Sequence, residues 1–466
     1  MTILSPDQAD FGLTVPVLII GAGACGLTAA FAATEAGAEV VVLERDPLPA
    51  GSTSLSSGMI PAAATRIQAE KGIEDSPELF ASDILAKTKN RADPDMVAVI
   101  ARESGPTVDW LKYDRGIPLE LVVGFRYPQH SALRMHAPPS KTGAALMDAL
   151  RSAAEAAGTE ILCNAHVTAL FADGDGRVHG LRFERPDGTS EDVGCEALVL
   201  ACNGFGGNQA MVEQNIPEIT EAIYFGHVGN QGEGINWGLE LGGVVRDMTA
   251  YQGHGSVAHP HGVQITWALM MEGGFQVNEL GARFSNEHQG YSEQAISVLQ
   301  QPNAIAFDIY DDRIHALGLT FDDYCKALDM GAVKTADTAE GLADATGLPA
   351  DALARTIAET QAFAAGEDDC PFGRDFSAKP ALTPPFHAVR VTGALFHTQG
   401  GLIVDADARV VRQDGTPLPN LFAGGGAARG VSGPDVSGYL SGNGLLTATV
   451  LGRLAGRAAA NQVRKA

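Results

Sequence analysis

The apolar positions of this chain fall into runs whose period changes several times, and each change marks a predicted element. Residues 15–20 (VPVLII) form an unbroken, largely β-branched run, the pattern of a strand buried on both faces. GAGACG follows at once, and residues 27–36 (LTAAFAATEA) then read as a helix with small residues on its inner face. A second strand, 39–43 (EVVVL), ends in Glu44. Residues 75–111 read as amphipathic helices, with SPEL supplying a capping serine and a proline in the first turn. Another helix covers 142–157. Residues 160–200 carry the turn signals (DGDG at 173–176, PDG at 186–188) of a small antiparallel meander. Towards the C-terminus, 420–428 (NLFAGGGAA) is an apolar strand running into a turn without side chains, and 441–456 is a small-residue helix entered through Gly and Asn. The Pro-rich stretch 377–386 predicts a hinge or exit segment. Strands alternating with helices place the chain in the α/β class.

Composition narrows the field. With 45% hydrophobic residues in 466, the chain can fill a sizeable core, as two to four domains or one large unit with an insertion. Its formal net charge of −24 opposes binding to nucleic-acid backbones and to anionic membrane surfaces. The N-terminus lacks a basic region followed by an apolar one, and the apolar stretch 15–27 is too short and Gly-punctuated to span a bilayer. Six scattered cysteines without a CxxC pair suit reduced thiols, not a metal or iron–sulfur site. The expected location is cytoplasmic.

The first strand–turn–helix carries chemistry. Gly21, Gly23 and Gly26 fit G-x-G-x-x-G: the first permits the tight turn, the second lets backbone approach a pyrophosphate, and the third lets helix and strand pack closely. The pyrophosphate would lie on unpaired N–H groups at the helix start, with Ala22 inside the turn. Glu44, at the end of the second strand, can accept both hydroxyls of an adenosine ribose, and Arg45 follows it. An acid there favours FAD or NAD over NADP, whose 2′-phosphate it would repel.

Further stretches decide between the two. GSTSLSSGM (51–59), ALVLACNGFGGN (197–208), HTQGGLIVD (397–405), NLFAGGGAA and GYLSGNGLLTATVLGRLAG (438–456) resemble the flavoprotein subunits of fumarate reductase and succinate dehydrogenase and the related 3-ketosteroid dehydrogenases. The likeness covers most of the chain outside 60–192, in family order. It implies a Rossmann-like FAD-binding domain of the glutathione-reductase type, over 14–248 and 396–466, with an inserted α+β capping domain over 249–395 that closes on the flavin. It also assigns the cofactor contacts. Ser52, Thr53, Ser57 and Gly58 come from the first loop, Val167 from the meander, and Ala201, Asn203 and Gly204 from the second stretch. Gly425 and Gly426 supply backbone; Asn443, Leu445 and Leu446 open the last helix, whose N-terminus would face the flavin pyrimidine ring. Covalent relatives attach FAD through a histidine in the first loop, and no histidine precedes His130 here, so the FAD is expected to be non-covalent.

The same likeness orders the substrate residues. His254 and His397 fall on the family's two substrate histidines. Tyr291 stands where fumarate reductases carry the proton-delivering arginine. Trp267 and Met270 replace the glutamate and arginine that relay protons, and Tyr439 replaces the arginine that clamps a carboxylate. A dicarboxylate needs permanently charged, bidentate partners, so losing three arginines argues against fumarate and succinate. Two tyrosines suit a ketone. The resemblance to 3-ketosteroid dehydrogenases implies that Tyr291 takes the α-proton while the β-hydrogen leaves as hydride to flavin N5. Tyr439 or nearby amides would polarise the carbonyl, and His254 or His397 would lower the Tyr291 pKa by hydrogen bonding. The plainer alternatives are a surface tyrosine at 291 and packing against the flavin at 439. The segment 125–143 resembles a loop at the substrate mouth, making Tyr127, Arg134 and His136 candidates, with Arg134 meeting the carboxylate of a keto acid. His259-Pro260-His261 reads as a loop; no metal site is expected. The alternatives are an ene-reductase saturating an activated alkene and a flavoprotein-fold binding protein without catalysis. Electrons would pass to or from a quinone, oxygen or a soluble carrier.

Overall fold

In the computed structural model, which describes residues 2–464, the β-branched run becomes the strand Thr14–Ile20 inside a nine-stranded sheet. It is flanked in parallel by Ser190–Leu200 and by Val40–Leu43, with Leu18 beside Leu198 on one side and Val41 on the other. Val17, Leu18 and Ile19 have no exposed surface, which is why the run is continuous and not alternating. The expected meander is one strand shorter than its sequence signals. Glu160–Leu162 joins the edge of the parallel core beside Val40–Leu43, and only His166–Ala172, Val178–Glu184 and Ser190–Leu200 are antiparallel neighbours. Ser190–Leu200 serves both halves: its start pairs antiparallel with Val178–Glu184, and the rest runs parallel to Thr14–Ile20.

The helices begin where the capping signals put them. Ser76 Oγ accepts from the Leu79 amide at the start of Pro77–Lys87, and Thr142 caps Gly143–Ala156 in the same way. The helices Ala24–Glu35 and Asn443–Val463 lie against each other through small residues. A Cβ on Gly456 would come within 2.0 Å of the Ala29 carbonyl oxygen, so that approach requires glycine. Both helices direct their N-termini towards the same cavity.

A second, seven-stranded sheet centres on Phe386–Thr398, which pairs with Tyr251–Ala258, Ile305–Asp311 and Val333–Ala336. The Pro-rich stretch 377–386 lies, but for its last residue, in residues 366–385, which hold no helix or strand; Phe386 opens the central strand. The far end of Phe386–Thr398 carries Phe396 and His397 to the first sheet's cavity. Among the described residues, no helix is long and apolar enough to cross a membrane.

Candidate active site

One elongated cavity runs from the Gly-rich turn to the second sheet. Its wall runs without a break from Gly23, Glu44 and Thr53 at one end to His254, Tyr291 and Tyr439 at the other, enclosing about 1630 Å³ of space with the open solvent at its mouth counted in.

At the turn, the three glycines divide their work. A Cβ on Gly21 would sit 2.6 Å from the Ala201 carbonyl oxygen, and one on Gly26 would sit 1.8 Å from that of Gly21; both lie behind the wall as packing positions. Gly23 is on the wall, with nothing nearer its absent side chain than Thr53 Oγ1 at 3.7 Å. Glu44 is buried at the end of its strand. Its two oxygens accept from the amides of Ala22 at 2.9 Å and Asp46 at 3.1 Å, which fixes the carboxylate along the wall. Arg45 reaches across to Glu233 at 2.7 Å. Ser52 Oγ accepts from the His227 amide and from Asn230 Nδ2, and His227 pairs with Asp46 at 2.8 Å, so two loops close over this end.

Further along, Thr53, Ser57, Val167, Ala201 and Asn203 line the wall, as do Gly425, Gly426 and Leu445. Gly58, Gly204 and Leu446 stand behind it: a Cβ on Gly58 would strike the Thr142 carbonyl at 2.5 Å, and one on Gly204 would strike Thr398 Oγ1 at 2.1 Å. Asn443 is fully buried at the start of the last helix, and neither polar atom of its side chain has a partner. Glu233 Oε2 and Gln264 Oε1, both on lining residues, are also unpartnered. Buried polar atoms are rarely left so. Together with two helix N-termini, an acid on the strand end and side-chain-free turns, they fit a dinucleotide carrying a polar ring system.

The other end is aromatic. Gly290, at φ 143°, turns the chain into the helix Tyr291–Leu299, and Tyr291 opens it facing the cavity. The buried carboxylate of Glu287 holds the preceding segment through Arg283 at 2.8 Å and Arg374 at 2.9 Å. His254 lies against Tyr291 with ring centres 4.9 Å apart and is sandwiched by Phe396 at 5.0 Å. Tyr439 stands 6.1 Å from Tyr291 and 5.7 Å from His397, ring to ring, and Tyr127 completes the group 6.3 Å from Tyr291. Tyr291 is therefore a buried cavity residue and not a surface one.

The expected histidine-to-phenol hydrogen bond is not formed. His254 stacks on the ring, and its Nδ1 accepts from the Ser256 amide at 3.1 Å; His397 Nδ1 lies 3.1 Å from Gln399 Nε2. Burial lowers the pKa of His254 to about 3 and of His397 to about 4, so both rings are neutral. Burial pushes the Tyr291 phenol well above its ordinary value. The Tyr439 phenol acts in the same direction, and the Ser441 hydroxyl and Gly442 backbone act against it. Burial also raises Tyr439 and Tyr127.

Four expected substrate contacts lie off the wall. Trp267 and Met270 form a layer behind it, the indole edge-on to His254 at 5.8 Å and donating to the Glu287 carbonyl at 3.3 Å. Arg134 is fully buried elsewhere, gripped by both oxygens of Asp75 at 2.8 Å and by Asp83, which leaves it no charge to offer a substrate. His136 bonds Thr65 Oγ1 at 3.0 Å. Sequence reasoning missed Phe225, Phe396, Gln252, Gln264 and Gln399 on the wall. Phe396 and Gln399 lie within two positions of His397 in the chain, the one signal that points to them.

The family model described as FAD binding domain matches residues 16–445. A fumarate reductase (cytochrome) of Shewanella frigidimarina is 29% identical over 454 residues, 97% of this chain and 78% of that protein. A 4-oxocyclohexanecarboxylate 2-dehydrogenase of Sinomonas cyclohexanicum is 26% identical, over 96% of this chain and 93% of that one. Among solved structures, a 3-ketosteroid-Δ4-(5α)-dehydrogenase of Rhodococcus jostii RHA1 in complex with 4-androstene-3,17-dione has a TM-score of 0.77 at 25% identity, covering 99% of this chain and 100% of that one.

Proposed function

The chain belongs to the FAD binding domain family, and from that premise we propose a dehydrogenase that introduces a C=C bond α,β to the carbonyl of a cyclic ketone or keto acid. It is an FAD-dependent oxidoreductase of carbon–carbon bonds, a class that spans reductases and dehydrogenases among its relatives. One observation carries the finer reading: the phenols of Tyr291 and Tyr439 face each other between neutral imidazoles, with no cation beside them. Among the described residues the single arginine on the cavity wall is Arg45, which Glu233 already neutralises at the dinucleotide end. A dicarboxylate would find no clamp there.

Bound FAD, held by Gly23, Glu44, Thr53, Gly425 and the start of the last helix, supplies a two-electron hydride acceptor. The residues do the rest. The Tyr291 oxygen, in its phenolate form, takes the α-proton and becomes the neutral phenol as the β-hydrogen leaves with its electron pair. The Tyr439 hydroxyl, whose oxygen accepts from the Gly444 amide at 3.4 Å, polarises the carbonyl. Phe396 and the stacked His254, both on the wall, keep water from the reacting carbons.

Burial favours a second reading in one respect. A phenol held above its ordinary pKa starts protonated, the form that gives a proton to an alkene carbon, so an ene-reductase fed by a separate donor is the alternative. In either direction electrons exchange with an outside quinone, oxygen or soluble carrier, and we assign the chain to the cytoplasm. We take 14–248 and 396–466 as the cofactor domain and 249–395 as the cap, noting that positions 465 and 466 lie outside the described residues. The FAD is proposed to be non-covalent; flavin remaining with acid-precipitated protein would overturn that.

The test mixes oxidised holoenzyme anaerobically with cyclohexanone, 4-oxocyclohexanecarboxylate or a saturated 3-ketosteroid, and reduced holoenzyme with the matching enones. Desaturation requires that at least one ketone bleach the flavin, faster than its enone restores it. Bleaching that persists unchanged in Tyr291→Phe would sink the assignment of the base.

A further inference from the structure

The segment 125–143 is rich in His and Arg, yet Arg134 and His136 point away from the cavity, which leaves its composition unexplained. His130, within it, makes a contact no motif suggested. Its Nε2 lies 3.0 Å from the carbonyl oxygen of Ser441, more than three hundred positions along the chain. Its Nδ1 lies 3.5 Å from Arg134 Nη1, and Phe80 packs against the ring at 6.0 Å. His130 is only 4% exposed, and burial followed by the Arg134 charge lowers its pKa to about 4, so the ring is neutral and carries one proton. A carbonyl can only accept and a guanidinium can only donate. Both neighbours therefore demand the same tautomer, with the proton on Nε2 donated to Ser441. Arg134, locked by Asp75 and Asp83, holds that tautomer in place.

The consequence follows from the peptide plane. The C=O of Ser441 and the N–H of Gly442 belong to one rigid trans unit and point in opposite directions. Pulling the carbonyl towards His130 aims the Gly442 N–H the other way, at the cavity wall that Ser441 and Gly442 share with Tyr291 and Tyr439, where it helps hold both phenols down against burial. Gly442 has φ 85°, where a small rotation would otherwise swing that amide freely. We infer that His130 is a positioning residue: through the Ser441–Gly442 peptide it holds a backbone donor on the tyrosine pair. This rests on the reading that Tyr291 moves the proton.

The experiment compares His130→Gln, whose amide nitrogen reaches the place of Nε2, with His130→Asn, whose amide stops at Nδ1 and meets Arg134 but not Ser441. The readout is the pH profile of anaerobic flavin reduction by whichever of the three ketones above bleaches wild-type holoenzyme fastest, with FAD content measured alongside. Losing one donor to the phenolate should displace the rising limb of His130→Asn upward by about one to two pH units, read as a roughly 10- to 100-fold lower rate at each pH between about 7 and 10, with FAD content and KM little changed. His130→Gln should keep the wild-type limb. Identical profiles for the two variants, or loss of FAD by either, would overturn the inference. Tyr291→Phe separates the levels. If it is silent, or if no ketone bleaches the flavin, the parent reading fails and the inference with it. If Tyr291→Phe is inactive while His130→Asn matches wild type, only the positioning role fails.

Discussion

Replacing Gly444 by alanine puts one methyl group where the structure has room for none. The new Cβ would stand 2.4 Å from His397 Nε2 and 2.7 Å from its Cε1. Ordinary contact begins near 3.4 Å, so the imidazole must retreat by about 1 Å, a misplacement of the size that costs roughly 10²-fold in rate. The backbone itself does not resist. Gly444 lies in the first turn of the helix Asn443–Val463 and has no positive φ, and alanine there is favoured over glycine by about 1 kcal/mol. The ring can yield, because one of its sides is open cavity. The expected variant is thus folded, yellow and slow. Rapid anaerobic mixing with ketone gives the rate, and FAD content and Tm report the fold. Gly174→Ala, where a Cβ meets nothing within 4 Å, is the control. A Gly444→Ala enzyme reduced at the wild-type rate would refute any part for the His397 ring, packed on Tyr439 at 5.7 Å, in shaping the reaction site, and FAD loss matching the rate loss would refute the local explanation.

Other expectations follow from burial. Because burial holds the Tyr291 phenol above its ordinary pKa of 10, the phenolate fraction grows with pH throughout the accessible range. Ketone oxidation should therefore rise about tenfold per pH unit between roughly pH 7 and 10, while enone reduction stays flat; parallel pH–rate curves for the two half-reactions would contradict this. His254 has a folded pKa of about 3, and His130, His136, His288 and His397 of about 4, all below the ordinary 6.5. The unfolded chain thus binds more protons below pH 6.5, so stability holds above that value and drains away as pH falls towards 4. Asp308, raised by burial to about 7, has the opposite sign and adds stability as pH falls through 7, so it offsets part of what the five rings lose. Tm measured from pH 8 to 4 should fall mainly below 6.5, and a flat curve would show these rings are not held neutral. Arg134→Met strands Asp75 and Asp83 in the interior and should cost about 3–5 kcal/mol in urea unfolding. A stable variant with weakened ketone binding would restore Arg134 to the substrate.

The cofactor end was legible because its chemistry is consecutive. Strand, Gly21 to Gly26, helix and Glu44 follow one another within a single strand–turn–helix–strand unit, and each residue acts on its chain neighbours or on the adjacent strand. The Ser76 and Thr142 caps were legible for the same reason. The substrate end is assembled from the start of a helix, two neighbouring strands and the loop before the last helix, so family likeness could nominate Tyr291, His254, His397 and Tyr439 but not their mutual geometry. Trp267 and Met270 were nominated equally well and lie one layer back.

What the sequence determined by itself was local: the parallel core, the turn that leaves backbone bare for a dinucleotide, and the residue types available at each end. Tertiary structure alone decided protonation and pairing. Whether a phenol is an acid or a base depends on the water it has lost, and whether an arginine carries usable charge depends on the carboxylates beside it. Both are set by chain segments far apart in sequence. Arg134 is silent because Asp75 and Asp83 fold onto it, and Tyr291 is raised because Tyr439, His254 and Tyr127 close around it.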